Sequence, residues 1–173
     1  MKTICSFAFF FVFVFVVAQD GYPVPEKTPA RLFYIQHSQN HNTYVYDVNM
    51  NGTSINREDP VYAHRIVYTE GGVDKPLTGI QKRMAYGIEA NYVKPGLYEM
   101  YLAATKKQKL YLTLNAQGPP RVYTTVNNHK IYVDRMFIKL KDSTSGIGVH
   151  AEYVLFEGQD FDTGENVTEK MEM

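Results

Sequence analysis

The chain has 173 residues, 18 Lys and Arg against 18 Asp and Glu, a formal charge of zero and a single cysteine, Cys5. A neutral chain without a basic block is not built for nucleic acid, whose affinity rests largely on phosphate neutralisation. One early cysteine leaves the body of the protein without disulfides or thiol chemistry, so packing must stabilise it.

The first eighteen residues, MKTICSFAFFFVFVFVVA, read as a secretory signal peptide. Lys2 supplies a positive start, Phe7 to Val17 is an apolar run, and Val16 and Ala18 precede a cut before Gln19. The run is short for a membrane span, which takes about 20 apolar residues. An uncleaved anchor is the alternative. Cleavage leaves 155 residues, one domain in size, with no cysteine and no later segment able to cross a membrane as a helix. The expected address is the export route: periplasmic in a bacterium, secreted otherwise. The sequons at Asn51 and Asn166 matter only in a eukaryotic secretory pathway.

Residues 19–30 include DGYPVPEKTP, an N-terminal linker ahead of a single β-rich domain over 31–158. A strand starts near Arg31, and further strands are expected near 43–50, 61–68, 97–104, 109–115, 121–126, 130–140 and 148–156. In KLYLTLN, Leu110, Leu112 and Leu114 face the core while Lys109, Tyr111, Thr113 and Asn115 face the other way. Asn127-Asn128 centres a two-residue hairpin that pairs Val126 with His129, Thr124 with Ile131, Tyr123 with Tyr132, Val122 with Val133 and Arg121 with Asp134. Ile131 and Val133 share one parity, whereas Met136, Ile138 and Leu140 share the other, so a β-bulge is expected near Asp134 or Arg135. STSGIG, residues 143–148, makes a corner. One helix of about three turns is expected from Lys75 and Pro76, capped by Asp74, with Leu77, Ile80 and Met84 on its apolar face and Gly87 as its stop. Residues 159–173 form a charged peripheral tail, packed on the domain or partly disordered.

Little of this looks like chemistry. His37 and His41 in RLFYIQHSQNHNTYVYDVN straddle a hairpin loop rather than a helical turn, which argues against metal ligation. His64, His129 and His150 are scattered, and no metal or cofactor is implied. Asp160, Asp162 and Glu165 in DFDTGE resemble a calcium loop only weakly, lacking its glycine and final glutamate positions. Asp47, Glu58 and Asp59 supply carboxylates without a defined acid–base pair. No nucleophile elbow and no phosphate loop occurs. The fourteen tyrosines, with no tryptophan, are the main compositional lead. Tyr111, Tyr123 and Tyr132 share one face, where they either bind sugar or protein or stabilise the sheet.

LFYIQHSQNHNTYVYDVN, the Pro60 to Tyr68 strand followed by EGG, PLTGIQKRMAYG and GQDFDTGENVTE, in that order, resemble an uncharacterised family, the domain of unknown function 4833, over most of Arg31 to Glu169. That resemblance implies no reaction, and its exported members imply an extracytoplasmic role. It points to Gln36, Asn42, Tyr46 and Asp47, and to Glu70, Gln81, Tyr86 and Gly87, as the residues of any functional surface. Where the family carries an aromatic inside the strand before its acidic-glycine loop, this chain has Arg65.

The expected fold is mainly antiparallel β, a sandwich or partly open barrel with one short helix. The expected function is an exported, non-enzymatic binding or structural domain whose partner is carbohydrate, a small apolar molecule or an envelope protein. The alternative is an extracytoplasmic carbohydrate-active hydrolase, marked by Glu70, Asp47 and a histidine converging in a cleft.

Overall fold

The computed structural model describes residues 21–115, 118–142 and 149–173. The expected signal peptide and the STSGIG corner lie outside them. The described residues form β1 (Arg31–His37), β2 (Asn40–Val48), β3 (Met50–Asn51), β4 (Ser54–Ile55), β5 (Val61–Val67), a 3-10 turn (Tyr68–Glu70), β6 (Val73–Pro76) and helix α1 (Gly79–Met84). The second half contributes β7 (Ile88–Lys94), β8 (Leu97–Leu102), β9 (Thr105–Thr113), β10 (Arg121–Val126), β11 (His129–Leu140), β12 (Ala151–Asp160) and β13 (Asn166–Glu172).

Eleven strands join one sheet in the order β6-β5-β2-β1-β11-β10-β9-β8-β7, with β12 and β13 added beside β11. Strand β11 is where the sheet forks. One of its edges runs along β12 from Ile131 to Leu140. The other edge is divided between β10, which pairs with His129 to Tyr132, and β1, which pairs with Arg135 to Ile138. Two wings therefore leave one strand and curl over a common core, giving a sandwich-like half-barrel. β5 and β7 approach at the seam without joining the same ladder. All pairings are antiparallel except β1 with β11, a parallel pair between the first and eleventh strands.

The local expectations that rested on alternation hold. Leu110 and Leu112 are fully buried, and Leu114 packs at the edge of the core. Asn127 and Asn128 both adopt positive φ, as a type I′ turn requires. The ladder follows the expected register from Val126↔His129 through Tyr123↔Tyr132, where its pairing ends. The register of β11 against β12 shifts between Val133 and Arg135, the site of the change of phase. Gly158 lies opposite that shift, and a Cβ there would collide with the Tyr132 carbonyl.

Other expectations need correction. The segment expected to begin the helix is strand β6, paired with β5. α1 starts later because Thr78 and Gln81 form a reciprocal capping box, which satisfies the first amides where Asp74 does not. Six residues are helical, not three turns. Leu77 is buried, but Ile80 and Met84 are 63% and 55% exposed, so the apolar spacing does not mark a packed face. Gly87 is required by proximity: a Cβ would strike the Lys82 carbonyl. The charged tail takes the packed alternative, with β13 on β12 and Val167 and Met171 against the core. The proline-rich lead is also fastened down, as described below.

Candidate functional site

Three groups of polar and aromatic side chains are organised by this fold. The first lies on the outer face of the wing made by β1, β2 and β5, beneath residues 22–25. Gln36, 1% exposed, donates through Nε2 to the Pro23 carbonyl (2.7 Å) and to Thr43 Oγ1 (2.8 Å). Its Oε1 accepts from Arg135 Nε (2.9 Å), and Arg135 is forked onto Glu157 at 2.8 and 3.1 Å. Tyr22 meets the rings of Phe137 and His41 edge-on, and Pro25 is buried. The sequence reading missed this strap because its prolines signal a linker equally well.

On the same outer face, Asp47 receives Arg31 Nε at 2.6 Å and contacts His64 Nε2 at 3.1 Å, while His64 Nδ1 meets Asp74 at 2.6 Å. Asp47 and Asp74 hold the buried His64 imidazole above its ordinary pKa, against the opposing effect of burial. Burial raises the Asp47 carboxyl, but His64 and Arg31 outweigh it, and the net displacement is downward. Glu70 is elsewhere, paired with Lys75. The convergence of Glu70, Asp47 and a histidine expected of a hydrolase is therefore not formed.

The second group faces inward near α1. Tyr46 is fully buried, stacks on Phe33 with centroids 4.4 Å apart, and donates to the Tyr86 carbonyl at 2.7 Å. Tyr86 lies flat on Tyr44, 3.4 Å between centroids. Burial pushes the Tyr86 hydroxyl far above the usual phenol range. Gln81 Nε2 contacts the Tyr44 hydroxyl at 3.5 Å. His37 stacks beside both rings and stays neutral because it is buried. His37 points inward and His41 outward against Tyr22, so the histidine pair of RLFYIQHSQNHNTYVYDVN never meets. Asn42, between outward His41 and Thr43, faces inward, and its Oδ1 is buried without a partner among the described residues. Gln36 and Asp47 are thus separated by the sheet from Tyr46, Gln81 and Tyr86.

The third group is the outer face of the other wing. Strand pairing sets Asn91, Glu99, Tyr111, Tyr123, Tyr132, Gln159 and Asn166 side by side in one row across seven strands, β7 to β13. At about 4.8 Å per strand the row is roughly 29 Å long. Tyr111 stacks on Tyr123 at 5.0 Å, and Phe161 from the β12–β13 turn packs against Tyr123 and Tyr132 at 5.3 and 4.8 Å. Arg121 lies 3.8 Å over the Tyr132 ring and donates to Gln159 Oε1 at 2.9 Å. Lys130 lies over Tyr123 and Phe161. Glu99 accepts from Tyr101, Lys109 and Tyr111, and these bonds, that of Tyr101 foremost, keep it ionised below the usual carboxylate range. Phe161 and Gln159 were not singled out from sequence; they reach the row only through the pairing of β12 with β11.

Two clefts adjoin these groups. One of about 400 Å³ follows the seam, floored by Val61, Ala63, Leu77 and Ile88 and rimmed by Lys82 and Arg83. Another of about 360 Å³ lies beside Tyr34, Arg135, Glu157 and Asn166. Among the described residues no three His, Cys, Asp or Glu side chains assemble as a metal-ligand set. No helix among them is long and apolar enough to cross a membrane.

Comparison with known proteins gives one match: residues 33–170 fit a family model described as a domain of unknown function (DUF4833). No curated protein and no solved structure matches the chain.

Proposed function

The chain belongs to the DUF4833 family, whose description names no reaction, and on that premise we propose that it is an exported, non-enzymatic domain whose tyrosine face binds carbohydrate. The observation that supports this reading is the continuous row from Asn91 to Asn166, with three tyrosines at its centre. Sugar rings present apolar C–H faces edged by hydroxyls. Aromatic rings accept the faces, and amide, carboxylate and guanidinium groups accept or donate to the hydroxyls. Tyr111, Tyr123 and Tyr132 supply the former; Asn91, Glu99, Arg121 and Gln159 supply the latter. Positions repeating every strand match an extended chain of sugars better than a single ring.

The row is also held in place before any ligand arrives. Stacking fixes the tyrosines against one another, and Arg121 and Lys130 clamp their rings, so little side-chain freedom remains to be lost on binding. Carbohydrate is favoured over an envelope protein because the row is narrow and polar at both ends, whereas stable protein interfaces centre on broader apolar patches.

The test is a glycan array probed with the purified chain, followed by calorimetry with the best-bound oligosaccharide. Tyr123→Ala and Tyr132→Ala are each expected to weaken binding about tenfold, the equivalent of one lost stacking contact. Tyr62→Ala, an exposed tyrosine on the other wing, leaves affinity unchanged. Equal affinity in all three variants, or no bound glycan, overturns the reading.

A further inference from the structure

Arg65 projects from β5 onto the inward face. Pairing places it directly opposite Tyr44 of β2 and, on its other side, Lys75 of β6. Asn42 lies one row further along the same face, a diagonal neighbour within reach of so long a side chain. Gln81 and Tyr86 bear on Tyr44 from above. The corner therefore gathers two cations, two amides, two phenols and the neutral His37.

The corner is rich in donors and short of acceptors. Glu70, the carboxylate paired with Lys75, reaches that lysine alone. Among the described residues Arg65 has no ion-pair partner, and its buried Nε–H meets no acceptor. His37 adds another donor: its Nδ1 accepts the Gln39 backbone N–H at 3.3 Å, so the proton of the neutral ring sits on Nε2. One acceptor of the corner, Asn42 Oδ1, is itself buried and unmatched among the described residues. Buried polar atoms in folded proteins find partners almost without exception, so an orphan donor and an orphan acceptor on neighbouring rows of one face point to a bound group between them. A guanidinium with a free edge selects a planar or tetrahedral oxyanion.

We propose that this corner is a binding site for a small oxyanion carrying a hydroxyl beside its charged group, the anion held by Arg65 and the hydroxyl by Asn42 Oδ1. Tyr44, Tyr86 and Gln81 form the wall of the site, and Lys75 is the second cation available when Glu70 turns away. The site lies on the opposite side of the sheet from the tyrosine row and is independent of it. A carboxylate and a phosphate group satisfy the same donors, and the experiment separates them.

The Nε–H resonance of Arg65 is followed by nitrogen–proton correlation NMR on the full chain during titration with glycolate, acetate and inorganic phosphate. A saturable shift of that resonance is expected with glycolate, with acetate binding about tenfold more weakly for want of the hydroxyl. Saturation by phosphate alone assigns the site to phosphorylated ligands and upholds the oxyanion. Asn42→Ala is expected to abolish the preference for glycolate while sparing acetate. Arg65→Met is expected to weaken every anion about tenfold or more, and Arg65→Lys less. Shifts that rise linearly with salt, in step with the Nε–H resonances of Arg57 and Arg121, overturn the proposal. So does an unchanged preference for glycolate in Asn42→Ala. The wild-type resonance decides the matter even where Arg65→Met does not fold.

Discussion

The outer faces of the two wings are built from the same kinds of residue and reach opposite outcomes. On β1, β2 and β5 the polar side chains are buried: Gln36, Thr43 and Arg135 lie under the strap and satisfy one another. On β8 to β11 the tyrosines stand half-exposed with their polar companions at the surface. One strand serves both faces. Tyr132 belongs to the open row and Arg135 to the covered network, although three residues apart they would ordinarily point to opposite sides of a strand. The irregularity between Val133 and Arg135 turns both outward. A single bulge thus divides a surface for recognition from a surface for cohesion.

The contrast can be broken most severely at Arg135. Arg135→Ala removes the cation that Gln36 Oε1 and the half-buried Glu157 share and is expected to cost about 3 kcal/mol in urea denaturation, the lower end of the penalty for breaking a buried ion pair. Gly158→Ala attacks the bulge itself by forcing a Cβ against the Tyr132 carbonyl; about 1–3 kcal/mol is expected, with Tyr132 and Arg135 both displaced in backbone chemical shift. Tyr123→Ala, on the open face, removes three ring contacts between half-exposed side chains and is expected to cost only about 1 kcal/mol, read as a small fall in Tm. A loss as large as that of Arg135→Ala would show that the open face is cohesive too.

The smallest effects distinguish two histidines. His64 sits between Asp47 and Asp74 on the covered wing; His129 sits between Glu169 and Asp160, 2.7 and 2.6 Å away, at the end of the other. Hydrogen bonds donated to those carboxylates, led by Asp47 and Glu169, raise both imidazoles above 6.5. A raised folded-state pKa stabilises the protein fully below the unfolded value and loses that contribution as pH climbs through the raised value. The depressed Asp47 and Glu169 act in the opposite sense, losing theirs as acid protonates them. Tm is therefore expected to decline as pH rises above 6.5. His64→Gln flattens that decline more than His129→Gln, because the exposed pair is screened by solvent. Equal flattening would contradict the assignment.

What the sequence disclosed follows one physical line. Alternation and turn chemistry are recorded in neighbouring residues, so the Asn127-Asn128 hairpin, the inward leucines and the change of phase at Asp134 were all legible. The tyrosine row was legible at its centre, where Tyr123 and Tyr132 face each other across a tight turn. Its ends were not, because Glu99, Gln159 and Asn166 join through other pairings. The parallel pairing of β1 with β11 left no local trace, and neither did the seat of the strap. β7 was missed because its apolar residues alternate too sparsely. The helix misled for the opposite reason: Ile80 and Met84 repeat at helical spacing but face solvent, and the cap that sets the start is a Thr-to-Gln pair rather than Asp74. Of the residues named through family resemblance, Tyr46, Gln81 and Tyr86 come together, while Gln36 and Asp47 occupy the other side of the sheet.

The forked strand also governs how the chain must assemble. The hydrogen bond from Arg135 to Gln36 links residues 99 positions apart, so one edge of β1 has no partner until β11 has been made. Pairings at such separations are slow to form. The hairpins from β8 to β12 and the β1–β2–β5 meander are free to close early, while the other edge of β1 waits unguarded, and the last event is the docking of that older segment onto β11.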